Sequence, residues 1–306
     1  MYKSIRTKLK LNNQQKTLLA QHAGYSRWVY NWGLSLWNAA YQDGYKPNIS
    51  CGMLRKRKLR EVFTNHTKPL YPWMKNLSSK VYQYALLNLG EAFKRFFKGL
   101  GKYPKFKKKG RSDSFTIDNS GKPIELNGWN HKLPFIGIVK TYEPIEATTQ
   151  KITISKQAGD WYLSFAYEFT QYLTPKTTEV VGLDLGIKTL ATLSDGKVFE
   201  SVKSYRQFEA KLSQLQYLNR NKEIGSANWR KIQLKIAKLH RKIANIRKDA
   251  LHKLTTYLAK NHGRVVIEDL NVSGMLANHK LAKSIADQGF YEFRRQLACS
   301  VSMVWF

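Results

Sequence analysis

Apolar positions along the chain change their period several times, and each change predicts a different kind of element. Residues 1–10 alternate loosely, with Tyr2, Ile5 and Leu9 among Lys3, Arg6, Lys8 and Lys10, which predicts a strand. Asn12-Asn13-Gln14-Gln15 carries helix-cap chemistry. From there to about Tyr45 the apolar residues recur at helical spacing: Leu18, Leu19, Ala23, Trp28, Val29, Trp32, Leu36 and Trp37. These rings read as the seam of a helix bundle. Ser79 to Phe97 predicts another helix, with Val81, Tyr84, Ala85, Leu89, Ala92, Phe93 and Phe96 on its apolar side. Past Gly99-Leu100-Gly101 short strands are predicted at Ser114–Ile117, Pro134–Val139, Lys151–Ser155 and Trp161–Phe169, with a hairpin turn at Ala158-Gly159-Asp160. This middle piece reads as a small β-barrel that the first strand joins, and Gln171 to Thr178, with Pro175, reads as a linker.

A further unit begins at Val180. Its first strand ends at Asp184, and Thr189–Leu193 and Val198–Glu200 form a hairpin about Ser194-Asp195-Gly196-Lys197. Two long helices follow. Ile232, Ile236, Leu239, Ile243 and Ile246 form a coiled-coil-like seam, which with Leu212, Leu215 and Leu218 predicts a helical hairpin turning near Gly225-Ser226. Val265-Val266-Ile267-Glu268 then returns as a strand.

Charge narrows the function. The 306 residues hold 52 Lys and Arg against 21 Asp and Glu, a net charge of +31, far beyond what solubility needs. A polyanionic partner is expected, and nucleic acid is the default. An anionic membrane is the rival, but no apolar run reaches the length of a span and no signal peptide opens the chain. Three basic stretches are candidate phosphate contacts. One is the arm Tyr103-Pro104-Lys105-Phe106-Lys107-Lys108-Lys109-Gly110-Arg111, with Lys105, Lys107 and Lys108 as its contacts. Another is Arg55–Arg60. The third is the outer face of the second long helix, with Lys231, Lys235, Lys238, Arg241, Lys242, Arg247 and Lys248, which reads either as a solvated face or as a rail for a duplex. Cys51 and Cys299 have no ligand spacing, so neither a zinc site nor a disulfide framework is expected, and a reducing cytoplasm fits. The histidines likewise show no metal-ligand spacing.

The candidate chemistry lies in two runs, Val181-Gly182-Leu183-Asp184-Leu185-Gly186-Ile187-Lys188 and Val265-Val266-Ile267-Glu268-Asp269-Leu270-Asn271. Each ends an apolar strand in a carboxylate, and a carboxylate on a buried strand costs desolvation energy unless it holds a cation. Two such strands bring two carboxylates onto Mg²⁺, the apparatus for cutting a phosphodiester. The plain alternatives are a cap or turn for Asp184 and an ion pair for Glu268. Asp269 competes with Glu268, because successive strand residues face opposite ways.

The element order is that of an RNase H-like fold of the RuvC type, and the motifs extend the likeness. Gly182–Lys188, Asn245-Ile246-Arg247-Lys248-Asp249 with Leu251-His252-Lys253, Ile267–Val272 and Gly274-Met275 resemble the TnpB (OrfB) proteins of insertion-sequence transposons. So do Trp28-Val29-Tyr30-Asn31, Gln83 with Ala85-Leu86, and Pro104–Lys107, so the resemblance runs from residue 1 to Leu297. The family is similar to type V CRISPR effectors. The resemblance implies an RNA-guided DNA endonuclease whose guide RNA and target double-stranded DNA are its partners, acting in the cytoplasm on the nucleoid. It implies a multidomain α/β chain: a wedge β-barrel (1–10 and 99–177), an inserted helical recognition lobe (11–98), and an incomplete RuvC-like domain (178–306) carrying the helical hairpin. Lys80 and Gln83 match positions the family uses near its flanking DNA motif. Asp184 and Glu268 match its first two acidic positions, so both are expected as catalytic Mg²⁺ ligands. The family's third acidic position and its four-cysteine ribbon have no match, and Ala298–Phe306 departs from the pattern, as after a lost reading frame or in a naturally short form. Slow or absent cleavage is expected, which leaves a nuclease-deficient RNA-guided binder (repressor or target competitor) or a transposon remnant as the other readings.

Overall fold

The computed structural model describes residues 2–43, 56–111, 113–169 and 178–301. The expected linker up to residue 177, Cys51, Arg55, the side chains of Lys56 to Lys58 and of Cys299, and the end of the C-terminal tail lie outside the described residues. The chain divides into two compact units, residues 1–171 and 172–306.

The first unit opens with β1 (Tyr2–Lys10) and α1 (Asn13–Gln42). Asn12 caps α1 as its sequence predicts: its side chain accepts from the Gln15 N–H while the Gln15 side chain accepts from the Asn12 N–H. After α2 (Lys56–Val62), a π-turn and two 3₁₀ turns lead into α3 (Ser79–Phe97). The tryptophan seam is core. Trp37 stacks on Phe93 at 3.9 Å, and Gly33 lets α1 and α3 approach so closely that a Cβ there would lie 2.9 Å from a Leu89 methyl. Buried His22 ties α1 to α3. Its Nδ1–H donates to the Leu18 carbonyl at 2.9 Å, leaving Nε2 to accept from the N–H of Ser78, the α3 cap (3.3 Å).

β2 (Ser114–Asp118), β3 (Ile124–Leu133), β4 (Gly137–Thr149), β5 (Lys151–Gln157) and β6 (Asp160–Glu168) complete this unit. With β1 they form an antiparallel sheet in the order β2-β5-β6-β1-β4-β3. Among the described residues its two edges do not pair, so the barrel read from the sequence is an open, curled half-barrel. Of the strand predicted at Pro134–Val139, residues 134–136 form the turn joining β3 to β4, with Phe135 at φ 64°, and Gly137–Val139 begin β4. The reason is that β3 and β4 are long but carry charge and polarity on their outer face, so their run is only half apolar.

In the second unit β7 (Thr178–Asp184), β8 (Thr189–Leu193), β9 (Val198–Glu200) and β10 (His262–Ile267) form a sheet in the order β10-β7-β8-β9. β10 runs parallel to β7, and the other pairs are antiparallel. Between β9 and β10 come α4 (Ser204–Arg220) and the 35-residue α5 (Ala227–Asn261), turning at Gly225 and capped by Ser226. Their seam closes only near the base, around Leu212, Leu239 and Ile243, and Leu218 is exposed. The far half of α5 (Leu251, Leu254, Leu258) and α8 (Phe290–Val301, through Phe293 and Leu297) cover one sheet face. The short α6 (Val272–Leu276) and α7 (Ala282–Gln288) precede α8.

Candidate active site

The parallel pairing of β7 and β10 sets Val181 beside Val265 and Leu183 beside Ile267. These four face the α5–α8 core. Alternation sends their neighbours to the other face, where Val180 (52 %) and Val266 (55 %) are exposed. One step beyond the last register pair, Asp184 ends β7 and Glu268 follows β10, so the two stand side by side at the carboxyl ends of strands ~4.8 Å apart. Carboxyl ends of parallel strands are where open α/β sheets bind ligands. Gly186 allows the tight turn after Asp184, since a Cβ there would meet the Thr189 carbonyl oxygen at 3.0 Å. Asp269 points elsewhere and ion-pairs with Arg294.

Both Asp184 and Glu268 are solvent-exposed. This corrects the buried-strand argument: within this unit the described residues cover one face of the sheet only, so neither carboxylate suffers the desolvation that would demand a cation. Two exposed hard oxygen donors on adjacent strand ends do fit Mg²⁺, which is bound by one or two carboxylates and keeps several waters. Among the described residues no cluster of three His, Cys, Asp or Glu side chains forms a fuller ligand set.

Two residues that the sequence did not flag build the flank of this site. Asp287 on α7, buried, accepts from the Ser204 hydroxyl at 2.8 Å and from the Tyr205 N–H at 2.8 and 2.9 Å, capping α4 from another helix. Gln288 donates through Nε2 to the Ile187 carbonyl (3.0 Å) and to the Ser201 hydroxyl (2.8 Å), pinning the loop that follows Asp184. An isolated Asp-Gln pair in a polar stretch carries no sequence signal for such a role.

The expected nucleic-acid contacts divide by whether the fold engages them. Arg247 donates to the Ala286 carbonyl at 2.8 Å in the last turn of α7, and half-buried Arg241 on α5 is also engaged within the fold. In the first unit the Lys80 ammonium sits 2.9 Å from Asp118, which also accepts from the Tyr84 hydroxyl (3.0 Å) and the Ser120 N–H (2.9 Å). Burial alone would raise the Asp118 carboxyl, but these partners outweigh it and hold it below its ordinary range; burial and then Asp118 push the Tyr84 phenol up to about 12. Gln83 is half-buried on the same helix. The basic arm is docked: Tyr103 donates to Asn38 at 2.7 Å, and the Asn31 amide brackets the Lys107 backbone with bonds of 2.8 and 3.0 Å. The Lys107 ammonium lies 4.1 Å over the Tyr30 ring, and burial lowers its pKa. Lys105 and Lys108 remain exposed.

Residues 164–279 match the family model OrfB_IS605, described as "Probable transposase", and residues 1–46 match its companion, described as "Helix-turn-helix domain". In this chain the described part of the latter match is one strand and one 30-residue helix. A protein of Escherichia coli K12 named "Putative RNA-guided DNA endonuclease InsQ" is 36% identical over 311 residues, covering 95% of this chain and 75% of its own. A "Putative RNA-guided DNA endonuclease" of Streptomyces pristinaespiralis is 32% identical, covering 93% and 71%. The solved "Cas12f1-sgRNA-target DNA complex" aligns over 99% of this chain and 82% of that one at 10% identity, with a TM-score of 0.32. Identity at this level, spread along nearly the whole chain and three quarters of the first of these relatives, means that the chain belongs to the TnpB/OrfB transposase family.

Proposed function

We propose that this chain is an RNA-guided, metal-dependent DNA endonuclease, with residues 178–306 as a RuvC-type nuclease domain. Residues 1–10 and 99–177 serve as its wedge, and residues 11–98 as a recognition lobe inserted between β1 and β2. The relatives' names and the net charge of +31 support nucleic-acid partners. The single observation that carries the chemistry is the β7–β10 register, which sets Asp184 beside Glu268 at the strand ends.

In this reading Asp184 and Glu268 are the oxygen donors for a divalent cation. Bound Mg²⁺ supplies an activated water and charge neutralisation at the leaving oxygen. The protein fixes where those oxygens stand through the strand register. Sequence is read by the guide RNA, so the protein needs charge and shape more than base contacts. Lys80 and Gln83 are assigned to the flanking DNA motif. Lys105, Lys107, Lys108, Arg241 and Arg247 are assigned to the backbone, with Lys107 and Arg247 acting through the elements they anchor.

The test is a paired binding and cleavage assay of the full chain, co-purified with RNA transcribed beside its gene and offered guide-matched DNA. Mg²⁺-dependent cleavage is expected, abolished by EDTA. Asp184→Asn or Glu268→Gln should each slow it at least ~100-fold, the equivalent of ~3 kcal/mol, with DNA binding unchanged within about twofold. Cleavage that survives either change overturns the assignment. Guided binding without cleavage by the wild-type chain would make it a programmable binder.

A further inference from the structure

A second concave site lies on the loop just beyond Asp184. Lys188, Lys203, Arg206 and Lys283, with Ile187 and Gln288, line a cleft of about 400 Å³. Its two acids are already engaged: Glu209 pairs with Lys283, and Asp287 is occupied by Ser204 and Tyr205. Lys188, Lys203 and Arg206 are left exposed, lining one cleft, and make no ion pair among the described residues. Like charges around one cleft repel one another, weakly where solvent screens them, and an anion seated there relieves that repulsion. The fold nevertheless enforces the arrangement. Lys203 is kept in the left-handed region (φ 42°, ψ 47°), which costs a non-glycine residue ~1 kcal/mol, by the buried Ser204–Asp287 bond next to it. Gln288 holds the Ile187 carbonyl and so fixes the loop carrying Lys188.

Lys188 is four residues after Asp184, so their backbones stand at most ~14 Å apart. We propose that this cleft seats backbone phosphates of the DNA strand presented to Asp184 and Glu268, with Lys188, Lys203 and Arg206 as the contacts. The proposal rests on the nuclease reading above and assigns that nuclease its strand-positioning site.

The test is the salt dependence of binding of the full chain to a single-stranded DNA oligonucleotide. Each lost phosphate contact lowers the slope of log K against log[salt] by ~0.7 on a single strand. Lys188→Gln/Arg206→Gln should therefore lower it by ~1.4. The charge-matched control Lys122→Gln/Lys151→Gln, in the first unit, should change it by less than ~0.3. All four side chains are exposed, so thermal melts of both variants should match the wild type. An unchanged slope in the cleft variant, or an equal change in the control, overturns the site while leaving the nuclease reading standing. A slope change seen with guide RNA alone and absent with DNA also overturns it. Failure of the wild-type chain to bind DNA at all defeats the nuclease reading and this proposal together.

Discussion

Replacing Asp287 by alanine tests whether α4 is held by a cap supplied from α7. The carboxylate accepts from two donors, the Ser204 hydroxyl and the Tyr205 N–H, and Ser204 is fully buried. Hydrogen bonds to a charged acceptor contribute ~1.5–3 kcal/mol each, and a carboxylate at a helix N-terminus adds up to ~1 kcal/mol. Water entering the space left by the side chain recovers part of this, so Asp287→Ala should cost about 3 kcal/mol of local stability. Because the chain has two units, a global melt would mix their transitions. Native-state hydrogen exchange at Tyr205 and Gln207, whose N–H groups donate to Asp287 and to the Lys203 carbonyl, reads the local opening directly. A loss of about 3 kcal/mol lowers their protection ~100-fold. Asp287→Asn keeps one acceptor and should lower it only ~10-fold. If alanine changes protection less than threefold, the cap is not what holds α4, and the account of Lys203 beside it fails too.

Burial lowers the pKa of His22 and of His131, so the unfolded chain binds protons more readily than the folded one as pH falls below the ordinary value of 6.5. Their contribution to first-unit stability is full above pH 6.5 and is lost as pH falls towards the depressed folded-state values. Denaturant midpoints followed by tryptophan fluorescence should fall between pH 7 and 5, and a flat profile would count against neutral histidines in the core. Asp118→Asn should release Lys80 and, if Lys80 meets DNA, tighten binding up to about fivefold, since a partly exposed pair is worth ~0–1 kcal/mol. Weaker binding in that variant would mean that Asp118 positions Lys80 and does not sequester it.

Elements governed by local signals were legible in the sequence. Asn12 with Gln15 announced the start of α1, and Ala158-Gly159 announced the β5–β6 turn, where both residues take positive φ. The place of Asp184 and Glu268 at strand ends was legible because each closes a short apolar run. Illegible was anything decided by a distant partner. Lys80, Lys107 and Arg247 look like free cations in the sequence, yet they meet Asp118, Tyr30 with Asn31, and Ala286, each 38 or more residues away. The exposure of Asp184 and Glu268 is hidden for a related reason: an apolar run does not reveal whether one sheet face or two will be covered.

The position of the carboxylates is set by apolar burial and owes nothing to their own chemistry. Val181 and Leu183 are buried in the α5–α8 core and Val265 and Ile267 pack half-buried against it; fully burying such a side chain contributes ~1.5–3 kcal/mol, and partial burial a share of that. A slip of one residue between β7 and β10 would turn Val265 and Ile267 into solvent and drive Val266 and Glu268 inward, beneath Phe293 and Leu258. That would forfeit several kcal/mol of burial and also charge the core. Register is therefore fixed whether or not residues 184 and 268 are acidic. Amide substitutions there leave the strands where they are, and this is why a loss of cleavage in Asp184→Asn or Glu268→Gln reports on the missing charge and not on a displaced sheet.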